Sequence, residues 1–187
     1  LLISINLLLQ FLGHGIYGVF VPVFLMKIGA GIPGVLTFAL TDGLGSIFVA
    51  LIGPSIIRKF GLKFPLVFRA LFQPIWLLGM QNITTLPIPL HVYGFSFGAY
   101  TTLYWLAMNT YTFEATEKGN RGLFTGITSA MVWIASILAP LAGAFVIKYF
   151  GYDAVFSVAI GILLLASIPA LLLPEIKYEP KEKAKAK

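Results

Sequence analysis

Asn6, Gln10 and His14 recur at four-residue intervals, and Tyr17 follows one step further. On an α-helix this spacing puts four groups able to donate, accept or carry protons on one face. A second set is built similarly: Thr101, Trp105, Asn109 and Thr112 share one helical face, with Tyr93, Tyr100, Tyr104 and Tyr111 on a neighbouring one. Asp42 stands between the two sets, inside an otherwise apolar run. Groups so placed can line a path for a solute or a proton, or hold helices together by hydrogen bonds. The favoured reading for the first stripe is a cavity lining. Catalysis is poorly served. "GFSFG", Gly94 to Gly98, has the spacing of a serine nucleophile, yet no histidine follows Ser96 and the surroundings read as a membrane helix. Cysteine is absent and the two histidines, His14 and His91, are isolated. Neither a metal site, a disulfide nor a cofactor is therefore expected, and the chain is not read as an enzyme.

The elements that must carry these residues are set by composition. Of 187 residues, 58% are hydrophobic and only 11% charged, against about a quarter charged in a soluble domain. A spanning helix needs roughly 20 apolar residues. Gly, Pro and charge divide the chain into six such runs, near 2–27, 33–57, 64–82, 86–112, 121–148 and 153–173. With no water to satisfy the backbone in hydrocarbon, each should be helical. The expected class is an all-α membrane protein, with a six-helix bundle over 1–174 and a charged cytoplasmic tail or linker over 175–187. The chain opens on "LLISINLLLQFLGHG" without Met or a basic leader, so its natural N-terminus is expected to lie upstream.

Charge placement gives direction. Arg58, Lys59, Lys63, Arg69, Lys118, Arg121, Lys177, Lys181, Lys183, Lys185 and Lys187 fall on one side of the six spans, Lys27 and Lys148 on the other. By the positive-inside rule both termini face the cytoplasm. The net charge of +6 then reports topology, and no nucleic-acid partner is expected. Asp42 comes near mid-membrane depth, where a charged side chain costs roughly 2.5–3.5 kcal/mol on insertion scales. It is either part of a substrate or proton path, or a carboxyl bonded to nearby hydroxyls or kept protonated.

Three passages resemble the major facilitator superfamily. "GPSIIRKFGLKF" stands between spans 2 and 3, where that family carries a loop of the form G-x-x-x-D-R-x-G-R-R; Gly53, Arg58, Lys59, Gly61 and Lys63 match it. The acidic position is filled by Ile57 or Arg58, and Leu62 replaces one basic residue. "GITSAMVWIASILAPLAGA" is similar to the helix 5 motif of proton-coupled antiporters, with Gly126, Ala135, Ala139, Pro140, Gly143 and Ala144 at its positions. "EKGNRG" is like the link that precedes helix 5. The resemblance implies one six-helix half of a transporter, by preference the N-terminal half, built of two inverted three-helix repeats. It further implies a second half as partner, a small-molecule substrate, alternating access, and a gating role for the span 2–3 loop. Helices 1 and 4 of each half line that family's central path, and the polar stripes lie on spans 1 and 4. Asn6, Gln10, His14, Tyr17, Asp42, Trp105 and Asn109 are the expected path residues, and Asp42 admits proton coupling. The rival reading is a membrane scaffold without transport. A transporter should open both stripes to one concave side, whereas a scaffold should bury them between helices.

Overall fold

The computed structural model describes residues 2–116 and 120–176. Lys118, the Arg121 side chain and the tail lysines from Lys177 onward lie outside the described residues, as do Glu117 and Gly119 of the link before span 5. All regular structure among the described residues is helical. The elements are α1 (Leu2–Gly18), α2 (Val21–Lys27), α3 (Gly31–Phe60), α4 (Lys63–Gln81), α5 (Leu90–Ala115) and α6 (Arg121–Leu172).

The first expected span is bent. α1 stops at Gly18, the Phe20 amide donates to the Tyr17 carbonyl over 2.8 Å, and α2 restarts with Pro22 in its first turn. Proline is tolerated there because a first-turn N–H has no helical acceptor. α6 is also two rods. Gly151 takes φ 84° and ψ −179°, a left-handed conformation that glycine adopts without steric cost, and it separates limbs 121–150 and 152–172. The expected helical ranges therefore reappear within a few residues. Three segments, Leu2–Lys27, Gly31–Phe60 and Gly122–Leu172, are long and apolar enough to cross a membrane. α4 and α5 are interrupted by Arg69, Gln73 and the tyrosine and threonine series, which lowers their hydropathy.

Two pairings dominate the packing: α1 with α6, and α3 with α5. Along α1, Asn6 meets Ala166 and Gly13 meets Leu163, and beyond it Phe24 of α2 meets Phe156, so α1 runs antiparallel to the second limb. Leu7 lies by Thr128 and Gly15 by Ala139, so α1 runs parallel to the first limb. α3 and α5 are likewise parallel. Gly94 rests on the Phe38 carbonyl and the Thr41 hydroxyl, Gly98 on the Asp42 carbonyl, and Gly45 on the Phe95 carbonyl. Small residues let backbones approach this closely, which is how helices associate where lipid removes the hydrophobic drive.

The core is layered. One apolar cluster contains Tyr17, Phe24, Trp76, Met80, Phe156 and Leu163; another contains Leu7, Leu62, Leu66, Tyr104, Met108 and Tyr111. On α1 and α4 the residues between these clusters are polar: Asn6, Gln10, Arg69 and Gln73, all at most 5% exposed. Arg69 is thus an interior residue, two turns into α4, and not one of the loop cations with which its sequence neighbourhood groups it. Elsewhere large apolar side chains face outward along α3 and the first limb, among them Leu40, Leu51, Trp133 and Leu141. Such continuous exposure suits lipid or another helical body, not water.

Candidate functional site

The buried layer is a connected network. Arg69 Nε donates to Gln73 Oε1 over 3.0 Å, and Gln73 Nε2 donates to the Tyr17 hydroxyl over 2.9 Å. That hydroxyl lies 3.3 Å from His14 Nδ1, whose ring stacks on Phe97 at 5.7 Å. On the other side, the Arg69 guanidinium covers the face of Tyr104, 4.0 Å from the ring centre. The Tyr104 hydroxyl donates to Asn6 Oδ1 over 3.4 Å, and Asn6 Nδ2 donates to the Ala166 carbonyl over 2.9 Å. Gln10, between Asn6 and Tyr17 on the same face, has both amide atoms buried without a partner among the described residues. Buried polar atoms are ordinarily paired, so Gln10 marks a place where the network is incomplete.

The stripe on α5 is placed differently. Trp105, Asn109 and Thr112 line a cleft of about 380 Å³, completed by Leu7 of α1 and by Thr125, Thr128, Ser129 and Trp133 of α6. Thr128 Oγ1 donates back to the Phe124 carbonyl over 2.8 Å. Trp105 is braced edge-on by Phe11 at 5.5 Å and by Tyr104 at 5.7 Å. The cleft wall and the buried network therefore share Tyr104 as a common layer.

The structure thus divides the expected path residues. Asn6, Gln10 and Tyr17 are at most 1% exposed and sit between helices, with His14 half-buried beside them. Trp105 and Asn109 open to the cleft. Asp42 belongs to neither group: it is half-exposed on α3, with its carboxyl against Gly98 of α5. Arg69 and Gln73 were missed as site residues. The signal was their i, i+4 spacing on a helix, which makes a polar pair on one face.

In the span 2–3 loop, Gly61 ends α3 with φ 83° and its amide donates to the Ile57 carbonyl over 2.8 Å. Arg58 bonds its neighbour Ser55 at 3.1 Å, while Gly53 meets Leu106 of α5. Lys59 and Lys63 lie at the end of α3 and the start of α4. The carboxylate of Glu175, just past α6, rests against Gly61, and Tyr111 donates to the adjoining Pro174 carbonyl over 2.8 Å. An acid absent from the loop is thus present beside it, delivered by another segment. In the helix 5 motif, Ala135, Ala139 and Gly143 form a buried strip against α1, with Gly143 on the Ile16 carbonyl. Pro140 adjoins that strip, and a side chain added at Gly126 would meet nothing within 4 Å. Ser96 is occupied structurally: its hydroxyl accepts the Trp76 indole N–H and donates to the Tyr93 carbonyl, both over 3.1 Å.

A family profile described as Major Facilitator Superfamily matches residues 3–187. The chain is also similar to the uncharacterized protein YqgE of Bacillus subtilis (strain 168), 31% identical over 121 residues. That match covers 62% of this chain and 27% of the relative, so the chain spans only a fraction of its length. No solved structure matches.

Proposed function

The chain belongs to the major facilitator superfamily, a family of membrane transporters, and we propose that it is one six-helix half, the N-terminal one, of a secondary transporter of small solutes. It is an integral membrane protein. In this reading α1 with α2, α3, α4, α5 and the two limbs of α6 are the six crossings, both termini are cytoplasmic, and a second six-helix half covers the outward apolar faces of α3 and the first limb. Transport proceeds by alternating access, with the cleft between α1, α5 and α6 as the substrate side. The observation that carries this reading is that Trp105, Asn109 and Thr112 open to a single cleft shared with Leu7 and the first limb of α6. Asp42, beside Gly98, is the candidate proton carrier.

One observation favours the scaffold reading. The α1 stripe of Asn6, Gln10 and Tyr17 is buried between helices, as a body without a path would have it. A single labelling experiment separates the two. The 187 residues contain no cysteine, so Asn109→Cys offers one reactive site in this half. In a transporter, an imposed ion or solute gradient changes its reaction rate with a membrane-impermeant maleimide. In a scaffold the rate ignores the gradient, and that result would defeat the transport reading.

A further inference from the structure

No carboxylate among the described residues lies within ion-pair reach of Arg69, although this side chain is only 5% exposed. Its Nε is bonded to an uncharged amide and its face covers an aromatic ring. Neither partner cancels the charge. A guanidinium stays protonated in proteins, and a buried cation without an anion is ordinarily costly. Gln10 repeats the theme: both ends of its amide are buried and unpartnered, on the α1 face between Asn6 and Tyr17. Asn6 reaches Tyr104 and Tyr17 reaches Gln73, and these are the two residues that hold Arg69. Gln10 and Arg69 therefore belong to one polar layer that carries a surplus positive charge.

That layer stands directly behind the cleft. Tyr104 touches Arg69 on one side and Trp105 on the other, and Leu7, next to Asn6, lines the same wall. None of the described side chains lining the cleft is charged. Of the acids in the described helices, Asp42 sits at the level of Gly98, about two turns along α5 from Trp105, Asp153 borders Lys27 and Gln81, and Glu114 is exposed on α5 next to Phe113, which lines the cleft. Glu114, being exposed, is screened by solvent, whereas Arg69 is the buried charge behind the Tyr104–Trp105 wall and acts through a medium of low polarity, in which a charge reaches further than in water. The cleft offers an anion indole surfaces at Trp105 and Trp133, and an amide and hydroxyls at Asn109, Thr112 and Ser129.

We propose that the cleft selects small organic anions, with a carboxylate drawn by the buried guanidinium of Arg69 and an apolar or aromatic body held between the two indoles. The proposal rests on the cleft being the substrate side. The probes are benzoate, benzamide and benzylamine, nearly equal in shape and differing in charge. They are titrated against the detergent-purified full-length protein, with Trp105 and Trp133 emission as readout. Benzoate should bind on the order of tenfold more tightly than benzamide, and benzylamine most weakly. Arg69→Gln should make benzoate and benzamide equal while keeping benzamide affinity. Arg69→Lys, which keeps the charge, should retain the preference and serves if the glutamine variant does not fold. Equal or reversed affinities in the unmodified protein, or a preference that survives Arg69→Gln, would overturn the proposal and leave the cleft reading standing. Failure of all three probes to bind, with Trp105→Ala leaving transport unchanged, would overturn both.

Discussion

Gln73 and Tyr17, 56 residues apart in sequence, are joined by a hydrogen bond of 2.9 Å. The bond ties α4 to α1 at the boundary of the polar layer, and it positions both Arg69 on one side and His14 on the other. Tyr17→Phe would remove the acceptor and leave the Gln73 amide buried and unpaired. The expected cost is about 1 kcal/mol, in the range found for hydrogen bonds inside membranes. Thermal unfolding of the full-length protein in detergent should show a melting point lower by a few degrees. An unchanged value would mean that the bond is compensated elsewhere.

The α3–α5 contact should be far less forgiving. A Cβ at Gly98 would collide with the Asp42 carbonyl, and backbone cannot step aside as a side chain can. Gly98→Val should therefore cost roughly 3 kcal/mol or more, seen as loss of folded protein after membrane extraction. Gly126→Ala provides the contrast, since nothing lies within 4 Å of the added atom; its yield and melting point should match the parent.

Gly61 makes a separate prediction. With φ 83° any other residue is strained by roughly 1–2 kcal/mol, and a side chain would also displace Glu175. Gly61→Val and Glu175→Gln should both alter the rate of transport, the first also lowering stability. A transport rate unmoved by Glu175→Gln would confine that carboxylate to a packing role.

Asp42→Asn addresses coupling. In proteoliposomes of the full-length protein, transport driven by a proton gradient should be abolished, while exchange of solute down its own gradient survives. Unchanged gradient-driven transport across a range of pH would remove Asp42 from any proton path.

Much of this arrangement was legible in the residues. Apolar runs and their Gly and charge boundaries gave helical ranges that reappear, because backbone in hydrocarbon has few alternatives to helix. The bend near Gly18 was not foreseen, although Pro22 in the first turn of α2 was its signal. Periodicity placed Asn6, Gln10 and Tyr17 on one face but could not say what that face meets. Helix α4 brings its own polar pair to them, and Trp105 and Asn109, read by the same rule, meet open space. Arg69 was hidden by its company: among Arg58, Lys59 and Lys63 it read as a loop cation, whereas six residues of helix carry it from Lys63 into the core. The approach of Glu175 to Gly61 depends on where α6 ends, which no local pattern encodes.

The pairing of α1 with both limbs of α6 has a consequence for how the protein is made. Of the described helices α1 is made first, yet it finds its main partner only after residues 121–172 have followed. Until then Asn6 lacks its Ala166 carbonyl and the Ile16 backbone lacks Gly143. While α2 to α5 are made, α1 has its polar bonds to Gln73 and Tyr104 to draw on, and lipid or the insertion machinery must cover the face that α6 later takes. The helix that precedes the other described ones is among the last of them to be packed.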